Sequence, residues 1–185
     1  LDDAAIITLS SALVPQDTLV NIAVDDDDVQ EIIVSANTLA ITEGGTQALS
    51  VRLAYDPVIG ALVNLQSSDT GAADVDISPL TFNSTNYDQV QTVVVSAIQD
   101  MDTADEVVRL TLSSTVGTSS VTVTVNVDDD DVQRLILTPA AVAMQEGTTA
   151  TVTVQLAFDP LGTVSVNLAS SDTNALVGSV PSVQF

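Results

Sequence analysis

Closely spaced acidic side chains are the residues of this chain best suited to chemistry. They form three dense groups: Asp25–Asp28, Asp128–Asp131, and the set Asp100, Asp102, Asp105 and Glu106. Carboxylate oxygens are the ligands that hard cations prefer, and Ca²⁺ accepts about six to eight of them in a flexible geometry. The groups therefore predict Ca²⁺ binding. Mg²⁺ is the weaker alternative, because it prefers fewer protein ligands.

The composition excludes most catalytic chemistry. The 185 residues include 25 acids against three Arg, with no His, Cys, Lys or Trp. Hydroxyl–imidazole triads, thiol nucleophiles, Schiff-base lysines and ordinary zinc sites are therefore excluded. A glycosidase pair of carboxylates needs sugar-stacking aromatic residues in a cleft, and aromatic residues make up 3% of the chain. We expect that the protein is not an enzyme.

Charge and hydropathy exclude two further classes of partner. A net charge of −22 is opposite to the basic surface that nucleic acids need. Apolar residues make up 45% of the chain, but no apolar run approaches the roughly 18 residues of a membrane span. The abundance of Val and Thr instead favours β-strands in a folded, water-exposed protein.

An internal repeat organises the chain at a constant offset of 103 residues. Asp25–Gln30 returns as Asp128–Gln133, and Ser67–Thr70 returns as Ser170–Thr173. The repeat predicts three segments: the C-terminal part of one domain (1–28), a complete domain (29–131) and the N-terminal part of the next (132–185). A piece of a longer array is the favoured interpretation. Head-to-tail completion between chains is the alternative, although the equivalent of residues 83–103 would be missing.

Strands and turns alternate through the complete repeat. Val121, Val123, Val125 and Val127 alternate with polar residues, which is typical of a strand with one buried face. The predicted strands are 31–42, 46–54, 61–67, 79–83, 90–98, 105–114 and 120–128. Seven strands in about 100 residues predict an all-β fold of tandem immunoglobulin-like antiparallel sandwiches.

This topology gathers the acids at one end of the sandwich, which we call the acidic pole. The turns after the first, third and fifth strands lie at the same end as the last residues of the seventh strand. The acids at these positions are Glu43; Asp69, Asp74 and Asp76; Asp100, Asp102, Asp105 and Glu106; and Asp128–Asp131. Two carboxylates ~4 Å apart repel by about 4 kcal/mol at an effective dielectric near 20, so bound cations are expected.

The repeat extends this prediction to the partial domains. Asp25–Asp28 and Glu146 are the equivalents of Asp128–Asp131 and Glu43, and they are predicted to bind metal in their own repeats. Asp56 and Asp159 lie in turns that face the preceding repeat. Each is either a ligand at a junction between repeats or an ordinary turn residue.

Several short motifs together resemble tandem Calx-beta domains. They are Ile41-Thr42-Glu43-Gly44-Gly45, Ser67-Ser68-Asp69-Thr70, Leu80-Thr81-Phe82, Asp105-Glu106-Val107-Val108-Arg109-Leu110 and Asp128-Asp129-Asp130. The resemblance covers the complete repeat and both partial ones. It implies a calcium-binding sandwich of the kind found in sodium–calcium exchangers, an integrin and large bacterial surface proteins. Its ligands would fall on Glu43, an Asp after the third strand, the acids of 100–106, and Asp128–Asp130. Thr103 departs from the pattern, because Glu is frequent there.

The resulting expectation is a calcium-binding structural repeat of an extracellular or cell-surface bacterial adhesin, stalk or filament. Calcium would rigidify the poles and the junctions between neighbouring repeats of the same chain. Two alternatives remain open: a self-assembling filament or sheath subunit, with identical chains in contact laterally or head to tail, and a calcium-sensing regulatory module.

Overall fold

Strands rich in Val, Leu and Thr run along the whole chain in a computed structural model that describes residues 2–185. Within these residues, no helix is long and apolar enough to cross a membrane. The strands are β1 (Asp3–Ser11), β2 (Val14–Val24), β3 (Ile32–Val34), β4 (Thr38–Thr42), β5 (Thr46–Leu53), β6 (Ala61–Ser67), β7 (Ala73–Val75), β8 (Leu80–Phe82), β9 (Gln91–Ala97), β10 (Glu106–Ser114), β11 (Val121–Asp128), β12 (Leu135–Thr138), β13 (Thr153–Leu156), β14 (Ser165–Asn167) and β15 (Ser182–Gln184).

Two sheets form a sandwich from β3 to β11, which confirms the predicted all-β sandwich fold. One sheet has the order β4-β11-β10-β6-β8 and the other the order β3-β5-β9-β7. Their inner faces share one apolar core, in which Phe82, Leu49 and Leu110 are almost fully buried. Because each such side chain contributes about 1.5–3 kcal/mol on burial, this core is the main source of the sandwich's stability.

The first predicted strand, 31–42, is divided between the two sheets. β3 pairs antiparallel with β5, whereas β4 pairs parallel with β11, with Ile41 opposite Val127. The sandwich is therefore antiparallel except at this edge, which corrects the wholly antiparallel prediction. The division has a physical reason: the chain crosses between the sheets at residues 35–37, so each half buries its apolar side chains from a different sheet.

A short strand, β7, lies where the sequence predicted a loop. Ala73, Asp74 and Val75 pair antiparallel with Ala97, Ser96 and Val95 of β9. Ala73 is 1% exposed, so one inward-facing side chain is enough to fix the segment on the core. Three residues carry too little alternation to be recognised as a strand from sequence.

The segments outside the sandwich form small two-stranded sheets. β1 and β2 pair as an antiparallel hairpin from Asp3–Val24 to Ser11–Val14. β12 pairs with β13 and β14 with β15. Within the described residues, all the side chains classed as buried lie between Ile32 and Val127, and the apolar side chains Ile6, Leu19 and Leu137 are about half exposed.

Candidate metal centre

The parallel pairing of β4 with β11 positions Glu43 at the acidic pole. Glu43 directly follows β4, and its backbone N–H donates to the carbonyl of Asp128, at the end of β11, over 3.0 Å. A tight turn follows, because Gly44 has φ +67° and a Cβ on Gly45 would lie 2.7 Å from the carbonyl oxygen of Thr42. The turn therefore holds the Glu43 side chain beside the last residues of β11.

Five carboxylates converge there in two overlapping groups. Glu43, Asp100 and Glu106 each place one carboxylate oxygen within 4.8 Å of the others. Asp100, Asp102 and Asp129 form a second group on the same criterion. Asp100 belongs to both groups, so the arrangement is one continuous acidic cluster made of two overlapping groups of three carboxylates. We call it the Asp100 cluster.

Buried oxygen atoms without hydrogen-bond partners distinguish this cluster from ordinary surface acids. Glu43 is only 6% exposed, and its Oε1 atom has no hydrogen-bond partner. The Oε2 atom of Glu106 and the Oδ2 atom of Asp129 are likewise buried and unpartnered. Leaving a buried charged oxygen unpaired is costly, and such groups are normally paired or coordinate a metal.

Burial and like charges dominate the electrostatics of the Asp100 cluster. Burial, followed by the charge of Asp100, raises the pKa of Glu43 above its ordinary value. The same two causes raise the pKa of Glu106 to about 7. Burial and the charge of Asp129 raise the pKa of Asp131. These carboxylates therefore retain protons more readily than exposed acids, and a divalent cation would replace those protons.

Local hydrogen bonds order the loop between β9 and β10, residues 98–105, which we call the acidic loop. The Oδ1 atom of Asp100 accepts the N–H of Asp102 over 2.9 Å, and the Oδ1 atom of Asp102 accepts the N–H of Ala104 over 2.8 Å. The Oδ1 atom of Asp105 accepts the N–H of Asp129 over 2.9 Å, which ties the loop to the segment that leaves β11. These hydrogen bonds fix the shape of the loop.

Gln99 also belongs to the site, although the acidic pattern of the sequence did not predict it. Its Nε2 atom donates to Oε2 of Glu43 over 2.7 Å and lies 3.3 Å from Oδ1 of Asp130 and 3.4 Å from Oδ2 of Asp131. The amide supplies partial positive charge to three carboxylates. The sequence signal for Gln99 was its position immediately before Asp100. A neutral amide is not an expected ligand of a hard cation, so the acidic pattern did not include it.

The donor set fits a hard divalent cation. The Asp100 cluster presents only oxygen ligands, from three separate chain segments, and its unpartnered oxygens lie at its buried side. Ca²⁺ accepts this kind of irregular all-oxygen set, whereas Mg²⁺ demands a near-ideal octahedron and retains waters. Glu43, Asp100 and Glu106 would hold an inner ion, and Asp100, Asp102 and Asp129 an outer one.

The remaining predicted ligands of the complete repeat have other positions. Asp74 lies on β7, where its Oδ1 atom accepts the N–H of Val75. Asp76 follows β7, and its Oδ1 atom accepts the N–H of Val94 over 2.8 Å. Neither belongs to the groups of converging acids found in residues 2–185. Asp128 is exposed on β11. The carboxylates of Asp130 and Asp131 lie beside the amide of Gln99, and the N–H of Asp131 donates to Oδ1 of Asp129 over 2.7 Å.

The predicted ligands of the outer repeats are exposed. Asp26, Asp27 and Asp28 place carboxylate oxygens within 4.8 Å of one another, and Asp25 precedes them. Glu146 precedes Gly147 in an exposed turn, and Gly147 has φ +76°, much as Gly44 does in the complete repeat. Among residues 2–185, therefore, only the complete repeat combines converging acids with buried unpartnered oxygens.

Comparisons with known proteins give structural similarities alone. No family model and no curated protein matches the chain. Domains 4 and 5 of the S-layer protein SbsC match with TM-score 0.41 and 27% identity, over 60% of this chain and 59% of that one. The structure rSbsC(31-844) matches with TM-score 0.46 and 17% identity, over 100% of this chain and 29% of that one.

A structure of SbsC domains 4–9 matches with TM-score 0.47 and 20% identity, over 93% of this chain and 28% of that one. The chain thus spans less than two thirds of each of these proteins. TM-scores this low do not assign a function.

Proposed function

We propose that the chain is a calcium-binding structural repeat of an extracellular, cell-surface protein. The observation that carries this proposal is Glu43, which is 6% exposed and has an unpartnered Oε1 atom beside Asp100 and Glu106. A carboxylate is buried among like charges only when something offsets the cost. Gln99 offsets part of it, and a bound Ca²⁺ ion would offset the rest.

Calcium would act by joining segments that are distant in sequence. An ion in the Asp100 cluster links the turn after β4, the acidic loop and the segment leaving β11 through Glu43, Asp100 and Asp129. These segments lie at the end of the sandwich where the chain continues into the next repeat. Binding would therefore stabilise the sandwich and also order the start of the connection.

The proposed role is that of a spacer in a repeat array, in agreement with the Calx-beta resemblance. Calcium sites of extracellular modules have dissociation constants of about 0.1–1 mM, which suits the calcium concentration outside cells. An intracellular calcium sensor is the competing role. It would need much tighter sites, so affinity distinguishes the two.

The test is thermal unfolding of the chain in excess chelator and then across a calcium titration, with magnesium as the control ion. A ligand that binds only the folded state stabilises it by about 2.7 kcal/mol at one hundred times its dissociation constant. We expect a calcium-specific rise in melting temperature, with a midpoint in the high micromolar to millimolar range. A melting temperature that does not respond to calcium would overturn the proposal. A submicromolar midpoint would favour the sensor.

Self-association is a second candidate function, and a separate observation favours it. β1 and β2 occupy the positions equivalent to β10 and β11, which in the sandwich pair with β6 and β4 and pack their inner face against the second sheet. The hairpin side chains that are equivalent to core residues of β10 and β11 are instead solvent-exposed: Ile7, Leu9 and Val20 are 44–54% exposed. Such an apolar face is expected to pack against the opposite sheet of another copy of the fold. Sedimentation velocity over a concentration series would detect association between chains as a rise in mass.

A further inference from the structure

A backbone hydrogen bond joins the complete repeat to the repeat that follows it. The backbone N–H of Asp159 donates to the carbonyl oxygen of Met101 over 2.8 Å. Met101 lies in the acidic loop, and Asp159 lies in the turn between β13 and β14, residues 157–164. The corresponding turn of the complete repeat, between β5 and β6, comprises residues 54–60. We call these two the docking turns.

Both docking turns have the same backbone form. Val58 has φ +59° and Leu161 has φ +55°, a conformation that side chains other than glycine rarely adopt. In each turn the preceding Asp holds the chain in this form, because Oδ1 of Asp56 accepts the N–H of Val58 and Oδ1 of Asp159 accepts that of Leu161. These bonds assign turn capping to both aspartates. Strained backbone that recurs at equivalent positions is a common mark of a functional surface.

A glutamine at the end of the acidic run fixes each docking turn to the connecting segment. The Nε2 atom of Gln133 donates to the carbonyl of Phe158 over 2.8 Å, and its Oε1 atom accepts the N–H of Phe158 over 3.2 Å. Gln30 makes the same two bonds with Tyr55, at 2.6 and 3.0 Å. The orientation of each docking turn is therefore set by the residues that enter its own repeat.

We propose that the acidic loop of each repeat docks on the docking turn of the repeat that follows, so that the partner of this surface is a second copy of the same fold. The inference goes beyond the proposed function because the contact is made by backbone atoms and needs no ion. Tyr55, Val58 and Ile59 are 43–70% exposed and line a cleft on the docking turn of the complete repeat, which Asp26 and Asp28 also line. The occupant that the geometry assigns to this cleft is the acidic loop of a preceding repeat, because the same loop of this chain, in which Met101 is 71% exposed, contacts the docking turn of the repeat that follows.

The natural absence of cysteine permits a direct test. The hydrogen bond brings the α-carbons of Met101 and Asp159 near the separation that a disulfide spans, about 4.4–6.8 Å. We expect the double variant Met101→Cys/Asp159→Cys to form an intramolecular disulfide under mild oxidation, about tenfold or more faster than a control pair. The control is Met101→Cys/Thr148→Cys, because Thr148 lies beyond the other end of β13. Equal rates for the two pairs, in calcium and in chelator, would overturn the proposal.

Amide hydrogen exchange provides a second test on the unaltered chain. Asp56 occupies the equivalent position in a docking turn of the same form, and within residues 2–185 its N–H makes no backbone contact like that of Asp159. We expect the Asp159 amide to exchange about tenfold or more slowly than the Asp56 amide after correction for intrinsic rates. Equal exchange rates for the two amides would contradict docking. If the double variant does not fold, this comparison of exchange rates alone decides the proposal. Both tests can be carried out in chelator, so their results do not depend on calcium binding. Failure of the docking proposal can therefore be distinguished from failure of the calcium proposal.

Discussion

Individual carboxylates at the acidic pole differ sharply in what surrounds them. Glu43 is buried with one unpartnered oxygen, whereas Oδ1 of Asp76 accepts the backbone N–H of Val94 on β9. The sequence predicted both residues as metal ligands for the same reason, namely their position in turns at the acidic pole. The fold surrounds the two carboxylates with different neighbours. Substitution of Glu43 and of Asp76 is therefore expected to have opposite effects on the free energy of unfolding and different effects on calcium affinity.

Glu43→Gln should separate stability from ion binding. The substitution keeps the shape of the side chain and removes one charge from the Asp100 cluster. In chelator we expect the free energy of unfolding to rise, because a buried, repelled charge is lost. Calcium affinity should fall about tenfold or more, a change that needs only about 1.4 kcal/mol. Chemical denaturation and calorimetric titration measure the two effects. The exposed Glu31→Gln is the matched control, and unchanged calcium affinity in Glu43→Gln would exclude Glu43 as a ligand.

The raised pKa of Glu106 predicts an unusual pH dependence in the absence of calcium. The group titrates near its ordinary value of 4.5 in the unfolded chain and at about 7 in the folded protein. Between these values the folded state binds the additional proton, so stability falls as pH rises. We expect the melting temperature in chelator to decrease from pH 5 to pH 7.5, and the decrease to be smaller in Glu106→Gln. A melting temperature that rises over this range would contradict the assignment.

At the scale of elements, the strand pairings decide which acids converge. β4 runs parallel to β11, so the residue that follows β4 meets the residues that end β11. β7 pairs with β9 and holds Asp74 and Asp76 along the edge of the other sheet. The sequence predicted the long strands well, because their alternation extends over seven or more residues. The sequence could not show the division of 31–42 or the three-residue β7, because neither is marked by an alternation of apolar and polar residues.

Asp76→Ala tests the structural role of the β7 edge. The substitution removes the carboxylate that accepts the N–H of Val94 over 2.8 Å. We expect a loss of about 1 kcal/mol in the free energy of unfolding, the usual value of one hydrogen bond, and no change in calcium affinity. Urea denaturation and calorimetric titration are the measurements, with Asp88→Ala on an exposed loop as the control. A fall in calcium affinity would place Asp76 at the metal centre after all.

At the scale of the whole molecule, the ion site and the contact between repeats share one loop. Met101, whose carbonyl accepts the N–H of Asp159, lies between Asp100 and Asp102. Ions that order these two aspartates would also order the residue between them. Calcium is therefore expected to narrow the range of orientations between the complete repeat and the segment after it, without being required for their contact.

Small-angle X-ray scattering should detect this change. We expect the distribution of interatomic distances to narrow in calcium relative to chelator at constant mass, and to respond less in Glu43→Gln. Identical curves in both conditions would contradict the coupling between ion and joint. A rise in mass would instead identify association between chains, as the exposed hairpin suggests.

The sequence by itself determined the repeat, the strand-rich fold and the concentration of carboxylates at one pole, because these depend on local alternation and on a regular topology. Only the tertiary structure decided that Glu43, Asp100, Asp102, Glu106 and Asp129 converge, that Gln99 joins them, and that Met101 meets Asp159. Such contacts depend on long-range pairing between strands. A side chain's charge is visible in a sequence, whereas its burial and its neighbours are properties of the folded chain.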